Sequence, residues 1–149
     1  MNRDFVAMLA ALSAAGVEFL VIGAYAMAAH GLPRATGDID IWVRSTRENA
    51  ECVMGALHAF GAPLFGLTIE DLLRPDTVFQ IGVAPNRIDI LTGITGMRFE
   101  EAWRNRLTVT IDDQIVPVIG LADLIRNKAA TGRPKDQADL IWLREREKG

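Results

Sequence analysis

Apolar residues along the 149-residue chain alternate between helix-like and strand-like spacing. Near the N-terminus they recur at intervals of three and four, at Phe5, Met8, Leu9 and Leu12. This spacing predicts an amphipathic helix over residues 4–15. The short continuous apolar run at 17–22 predicts a buried strand that ends at Gly23. The alanine-rich segment at 24–30 contains no helix breaker and predicts a short helix.

The rest of the chain can be divided in the same way. A strand is expected at 38–43, and Ser45 with Glu48 fits a capping box at the start of the next helix. Further elements are expected as a short helix at 68–71, strands at 77–83 and 87–91, a helix at 97–105, strands at 107–111 and 115–119, and helices at 121–130 and 134–147. Two strand pairs are joined by loops too short for a helix. We therefore predict one α/β domain over residues 1–149, with a mixed sheet flanked by helices and a C-terminal helical pair.

Composition narrows the class of protein. Half of the residues are hydrophobic, and no apolar run approaches the ~20 residues of a membrane span. The net charge of −3 gives no support for broad, non-specific nucleic-acid binding. Cys52 is the only cysteine, so an internal disulfide is excluded and a reducing compartment is favoured. We predict a cytoplasmic protein without a membrane segment.

Asp38 and Asp40 are the first candidates for chemistry. Residues two apart on a strand point to the same face, so both carboxylates share one side while Ile39 and Ile41 face the core. Paired carboxylates repel unless a cation lies between them. Magnesium fits, because it prefers oxygen ligands and keeps positions open for phosphates. An exposed edge strand with two solvated acids is the alternative.

Asp89 repeats this local pattern, because an isoleucine flanks it on each side in Arg87-Ile-Asp-Ile-Leu91. Three acids from adjacent strands could bind two metal ions about 3.5–4 Å apart, as in enzymes that displace groups at phosphorus. For Asp89 considered alone, a surface acid is the less favoured alternative.

Gly23 ends a strand and leads directly into a helix. The backbone N–H groups at such a turn, together with the helix dipole, favour a phosphate. Many strand-to-helix turns contain one glycine, so the value of Gly23 comes from its position just before Asp38 and Asp40.

Together these motifs, in the order Gly23-Ala24, Asp38-Ile39-Asp40 and Asp89, resemble the DNA polymerase beta-like nucleotidyltransferase superfamily. The chain also looks similar to its small bacterial branch that includes the AbiEii-type toxin nucleotidyltransferases. That likeness is carried by residues on both sides of the acids: His30-Gly31, Arg34, Thr36, Lys128, Gly132-Arg133, Lys135-Asp136 and Asp139-Leu140. The resemblance covers residues 17–145.

The resemblance implies a nucleotidyltransferase fold and a Mg²⁺-dependent transfer of a nucleotide from an NTP, with two ions and Mn²⁺ as a substitute. It implies that Asp38, Asp40 and Asp89 bind metal and act in catalysis. The nucleotide would be bound by Gly23, Ala24, Lys128 and Asp136. The implied acceptor is a tRNA, a protein or a small molecule, and the setting a toxin–antitoxin pair. In the superfamily Ser or Gly usually stands where this chain has Ala24, which offers only its backbone N–H.

Lys128 carries a separate physical signal. It extends the apolar stripe of Leu121, Leu124 and Ile125, so it should turn inward, where a lysine needs a phosphate or a buried acid as partner. A lysine that snorkels from the edge of the stripe is the alternative. Asp136 follows Pro134 in the first turn of the last helix, where stabilisation of the helix start explains it equally well.

Two other classes of function stay open. A non-catalytic module of the same fold that acts through a partner protein is favoured by Ala24 and opposed by the acid triad. A metal-dependent phosphatase or nuclease needs the same acids but no triphosphate site. A homodimer or a second protein could complete the cleft of so small a chain.

Overall fold

The computed structural model describes residues 1–32 and 37–149, so Arg34 and Thr36 lie outside the described residues. Helices and strands follow in the order α1 Arg3–Ala14, β1 Phe19–Ile22, α2 Gly23–Ala29, β2 Ile39–Val43, α3 Arg47–Phe60, α4 Ile69–Leu73, β3 Val78–Ile81, β4 Ile88–Leu91, α5 Phe99–Arg104, β5 Leu107–Ile111, β6 Gln114–Val118, α6 Leu121–Thr131 and α7 Pro134–Lys148. The predicted elements are all present, and their ends differ from the predictions by at most two residues.

The strands form one six-stranded sheet in the order β3-β4-β2-β1-β6-β5. Its edges are the two predicted hairpins, β3–β4 and β5–β6, both antiparallel. In the centre β1 and β2 are antiparallel, whereas β2–β4 and β1–β6 are parallel. The prediction of a mixed sheet is confirmed.

The core lies on both sides of the central strands. All of β1 is buried, as expected of a strand between two neighbours. Ile39 and Ile41 are fully buried, as the alternation along β2 predicted. Trp42 is also buried, and its ring meets Phe99 edge to face. The acid-bearing strand is thereby held by its apolar neighbours.

The predicted capping box at Ser45 is wrong. Helix α3 begins one residue later, with Thr46 as its N-cap, and the Thr46 hydroxyl accepts from the Asn49 N–H. The Ser45 hydroxyl donates to the carbonyl of Leu72 instead, which joins the start of α3 to α4. Two neighbouring hydroxyl residues can each cap a helix in principle, and the tertiary contact decides between them.

Helices α6 and α7 form the predicted C-terminal pair. Pro134 stands in the first turn of α7, where its missing N–H leaves no helical bond unmade. Near the other end of α7, the Arg146 guanidinium donates to the carbonyl of His30, just after α2. The His30 ring contacts the carbonyl of Ile119, just after β6. These bonds join α7 and the segment after β6 to the C-terminal end of α2.

Of the helices in the two described segments, none is both long enough and apolar enough to cross a membrane.

Candidate active site

The sheet register places Asp40 beside Asp89. In the parallel pair of β2 and β4 these two residues are direct Cα partners, and Asp40 is also opposite Ile22 at the end of β1. The Asp89 carboxyl group is close enough to Asp40 to raise the pKa of Asp40. Two carboxyl groups from separate parts of the chain therefore meet at the end of β1.

Asp38 joins this pair from the residue before β2. One of its carboxylate oxygens, Oδ1, accepts the backbone N–H of Arg87 at 3.1 Å. The Ile39 N–H donates to the carbonyl of Arg87 at 3.0 Å, so the ladder between the two strands continues to this point. The structure thus brings together the three acids that the sequence singled out, and we call Asp38, Asp40 and Asp89 the acid cluster.

Arg87 lies against the acid cluster, and the sequence reasoning did not assign it a role. Its Nε lies 2.8 Å from Asp89 Oδ1, and its Nη2 lies 3.3 Å from Asp89 Oδ2. The same Nη2 is 3.3 Å from Asp38 Oδ2. Arg87 precedes Asp89 by two residues, and this i, i+2 spacing was the available signal, since both side chains must then share a face of the strand.

The surroundings of Asp40 disfavour its ionised form. Burial, and then the nearby carboxyl groups of Asp89 and Asp38, raise the pKa of Asp40 to about 6, while Arg87 acts in the opposite direction. A raised carboxyl pKa means that the ionised form is disfavoured in the folded protein. An added cation would therefore find a favourable position beside Asp40.

The carboxylate oxygens of the acid cluster suit a divalent metal ion chemically, but the side chains are not arranged as a metal site in this structure. Its ligands would all be oxygen atoms, which Mg²⁺ prefers. However, no three His, Cys, Asp or Glu side chains in the described parts of the chain are arranged so that they could hold an ion. Arg87 already bridges Asp38 and Asp89. The metal site stays a prediction whose acids are in place.

Gly23 allows Asp40 to lie against the turn between β1 and α2. Its φ is +68°, a left-handed conformation that side chains rarely adopt. A Cβ at this position would also clash with Asp40 Oδ2. Any other residue would therefore displace the carboxyl group. Ala24 follows in the first turn of α2 and is half-buried.

A cleft with two lobes runs past Gly23. The first lobe, about 450 Å³, is lined by Ile22, Gly23, Asp40, Leu91, Gly93, Ile94, Thr95, Asn127, Lys128, Thr131 and Arg133. The second lobe, about 370 Å³, is lined by Gly23, Ala24, Met27, Asp38, Asp40, Arg87, Lys128, Arg133, Lys135 and Asp139. Gly23, Asp40, Lys128 and Arg133 line both lobes, so carboxylate and cations meet at their junction.

Lys128 turns inward from α6 and lines both lobes of the cleft, as its place on the apolar stripe predicted. Its side chain is 12% exposed, and Nζ lies 3.1 Å from both Asp136 Oδ1 and Asp139 Oδ2. The prediction of an inward lysine is confirmed, and of the two kinds of partner expected for it, a phosphate or a buried acid, the structure shows buried acids. The two acids hold the ammonium group at the cleft wall.

Asp136 lies behind that wall. Its side chain is fully buried and accepts hydrogen bonds from Lys128, Thr131 and Arg133. Asp136 is not among the described residues that line the two lobes. The resemblance implied nucleotide binding by Asp136, whereas the structure places it as the anchor of three side chains that do line the cleft.

These donors also decide the ionisation of Asp136. Burial alone would raise its pKa, but the hydrogen bonds from Thr131, Arg133 and Lys128 outweigh burial and lower the pKa to about 2. The carboxylate therefore stays charged across the physiological range and keeps its three donors oriented.

Known structures include one with the same fold. A crystal structure from Thermotoga maritima, described as a "putative nucleotidyltransferase", superposes with a TM-score of 0.64 over 96% of this chain and 92% of that chain, at 18% sequence identity. No protein-family model matches the chain. No curated protein matches it in sequence. The chain therefore has a nucleotidyltransferase fold, as the resemblance implied.

The Asp136 anchor predicts an acid-sensitive stability. A carboxyl group whose folded-state pKa is depressed stabilises the protein above its unfolded-state pKa, near 4, and this stabilisation is lost as the pH falls towards 2. We expect Asp136→Asn to lower the free energy of unfolding at pH 7 by about 2–4 kcal/mol. We expect its stability to change by about 2 kcal/mol less than that of the wild type between pH 4 and pH 2.

Urea unfolding at several pH values measures both quantities. Asp112→Asn is the matched control, because Asp112 is an exposed turn residue. It should follow the wild-type curve. If Asp136→Asn loses as much stability on acidification as the wild type does, the three donors do not hold Asp136 ionised.

Proposed function

We propose that the protein is a metal-dependent nucleotidyltransferase, which transfers NMP from an NTP to a hydroxyl acceptor and releases pyrophosphate. The observation that carries this proposal is a two-lobed cleft whose lining includes Asp38 and Asp40 of the acid cluster together with Lys128 and Arg133. Carboxylates and cations that line one cleft match the needs of phosphoryl transfer, where both metal ions and phosphates must be bound. The fold supports the same conclusion.

Asp38 and Asp40 would hold two Mg²⁺ ions, with Mn²⁺ as a substitute, and Asp89 would complete the site of the first ion. Bound there, the ions supply positive charge that stabilises the attacking and leaving oxygens. The raised pKa of Asp40 supports this assignment, because burial and the neighbouring carboxyl groups both disfavour its ionised form, and a bound cation would offset both effects.

The phosphates of the NTP are assigned to the junction of the lobes. The backbone N–H groups that follow Gly23 would donate to phosphate oxygens, and Ala24 contributes one of them. Lys128 adds a cation that Asp136 and Asp139 hold in place. The Arg133 side chain is 57% exposed and can turn further towards the cleft while its partner Asp136 stays fixed.

The chemical step follows from these positions. An acceptor oxygen forms a bond to the α-phosphorus, and the bond from that phosphorus to the β-phosphate oxygen breaks, so that pyrophosphate leaves. Asp89 would accept the proton of the acceptor hydroxyl at a carboxylate oxygen. Lys128 would offset the negative charge on the phosphates as it shifts to the leaving group.

The acceptor is a tRNA, a protein or a small molecule such as an aminoglycoside-like compound, and a toxin–antitoxin pair is the setting that we propose from the resemblance to the AbiEii-type branch. The net charge of −3 favours an acceptor other than a long RNA. A homodimer or an antitoxin-like partner would cover the open side of the cleft.

A second candidate is a non-catalytic module of the same fold that acts through a partner protein. Arg87 favours it, because a guanidinium already neutralises part of the acid cluster, and Ala24 lacks a hydroxyl for phosphate. Isothermal titration with NTPs and Mg²⁺ separates the two candidates, since the module should bind neither. Release of pyrophosphate rather than phosphate or cut nucleic acid excludes a phosphatase or nuclease.

Incubation with each labelled NTP, Mg²⁺ and cell extract tests the main proposal. We expect one macromolecule or small molecule to acquire label with stoichiometric release of pyrophosphate. Asp40→Asn should reduce labelling about 100-fold or more, because it removes a charge needed at the reacting phosphate. Asp112→Asn, an exposed change of the same kind, should leave labelling unchanged.

Loss of labelling must be separated from loss of the fold. Because the raised pKa of Asp40 makes its ionised form unfavourable, Asp40→Asn should increase the free energy of unfolding of the metal-free protein at pH 7, by about 1–2 kcal/mol. A variant that is more stable yet inactive supports the assignment. Wild-type labelling in Asp40→Asn would contradict it.

Ala24→Ser tests the phosphate assignment at the turn. A hydroxyl in the first turn of α2 would add one donor to a bound phosphate, so we expect NTP affinity to rise about fivefold to tenfold. Ala28→Ser adds the same hydroxyl to an exposed position of α2 and should have no effect. Equal affinities of Ala24→Ser and the wild type would place the phosphates elsewhere.

A further inference from the structure

Arg87 covers Asp89 from the cleft. The Asp89 side chain is only 10% exposed, and among the described residues that line either lobe Arg87 is present and Asp89 is not. The guanidinium takes both Asp89 oxygens, at 2.8 Å from Nε and 3.3 Å from Nη2. A solute in the second lobe therefore meets Arg87 before it can meet Asp89.

The same guanidinium also reaches Asp38. Its Nη2 lies 3.3 Å from Asp38 Oδ2, so one cation bridges the acids that stand on either side of Asp40. The planar fork of an arginine suits such bridging, because several N–H groups can donate to carboxylates at once. Arg87 thus occupies positions around the oxygens that a metal ion would need.

We propose that Arg87 is a resident counter-cation of the acid cluster, and that a divalent metal ion must displace its guanidinium from Asp38 and Asp89 in order to bind. This inference rests on the proposed function, because it concerns the same acids. In the metal-free state, the Arg87 guanidinium would supply the positive charge that a metal ion supplies in the metal-bound state.

Displacement is expected because the Arg87 guanidinium and a metal ion would compete for the same carboxylate oxygens. Three carboxylate oxygens lie within 3.3 Å of the Arg87 guanidinium: Asp89 Oδ1 and Asp89 Oδ2 accept hydrogen bonds from it, and Asp38 Oδ2 forms an ion pair with it. An oxygen that accepts a strong charge-assisted hydrogen bond is a weaker ligand for a second cation at close range. The backbone N–H of Arg87 holds Asp38 through its other oxygen, so this contact can persist when the side chain leaves.

The second lobe of the cleft has room for the displaced Arg87 side chain. Arg87 is 31% exposed and borders the second lobe of about 370 Å³. A guanidinium released into this lobe would stay on the side of the cleft that Lys135 also lines. Metal entry would then expose Asp89 and add a mobile cation next to the substrate in one step.

The opposite role is also chemically reasonable and gives the opposite result. Arg87 could remain bonded to Asp89 in the metal-bound state and orient the carboxylate, in which case its removal should weaken metal binding about 10- to 100-fold. Displacement instead predicts tighter binding without Arg87, because a competing cation is gone. The sign of the change decides between the two roles.

The sign of the change in Mn²⁺ affinity can be measured by titration with Mn²⁺ alone, with the free ion monitored by electron paramagnetic resonance. We expect Arg87→Gln to bind Mn²⁺ about tenfold more tightly than the wild type, which corresponds to one charged hydrogen-bonded contact. Arg47→Gln is the matched control, since it removes one arginine paired with a glutamate on α4. Its Mn²⁺ affinity should equal that of the wild type.

Thermal unfolding supplies a second readout. Without its counter-cation the acid cluster repels itself, so metal-free Arg87→Gln should melt below the wild type, and saturating Mn²⁺ should raise its melting temperature by more than it raises that of the wild type. If Arg87→Gln does not fold without metal, Arg87→Lys keeps the charge but loses the fork, and should bind Mn²⁺ several-fold more tightly than the wild type.

The outcomes distinguish this inference from the proposed function. Tighter Mn²⁺ binding by the variant supports displacement. Equal or weaker binding by the variant, with clear binding by the wild type, overturns displacement and leaves the nucleotidyltransferase proposal intact. Absence of Mn²⁺ binding in the wild type and in both Arg87 variants overturns the metal-dependent function and, with it, this role of Arg87.

Discussion

The repulsion between carboxylates on neighbouring strands is the constraint around which this structure is arranged. Asp40 and Asp89 are direct partners in a parallel strand pair, with Asp38 two residues away from Asp40. The apolar residues that alternate with them are buried, so the sheet cannot shift by one residue to separate the acids without exposing its core. The fold therefore holds negative charge where β2 and β4 pair, and among the described residues Arg87 compensates part of it.

The acid pattern on each strand could be predicted from the sequence, because side-chain direction alternates along a strand whatever the tertiary structure. The adjacency of Asp40 and Asp89 required more, since it depends on which strands pair and in what register. The resemblance supplied that step. Arg87 was missed because a charged residue beside an acid on a strand is ordinary in isolation, and only the approach of Asp38 makes it a bridge.

In the C-terminal helices, too, local sequence patterns predicted the direction of a side chain but not its tertiary contacts. The stripe that ends in Lys128 predicted an inward lysine, and the structure confirms it. Helical spacing could not reveal that Asp136 gathers Lys128, Thr131 and Arg133, because these contacts cross the turn between α6 and α7. Similarly, the choice of Thr46 over Ser45 as a helix cap was decided by a contact with Leu72, in another helix.

The central claim is that one cleft binds metal ions at the acid cluster and a triphosphate at Gly23 and Lys128. A crystal structure with Mn²⁺ and an NTP analogue that cannot be cleaved between its α- and β-phosphates tests it most directly. We predict anomalous Mn²⁺ density bound to Asp38 and Asp40, with the triphosphate against the turn that follows Gly23. A nucleotide bound elsewhere, or acids that stay bridged by Arg87 with no Mn²⁺ beside them, would contradict the claim.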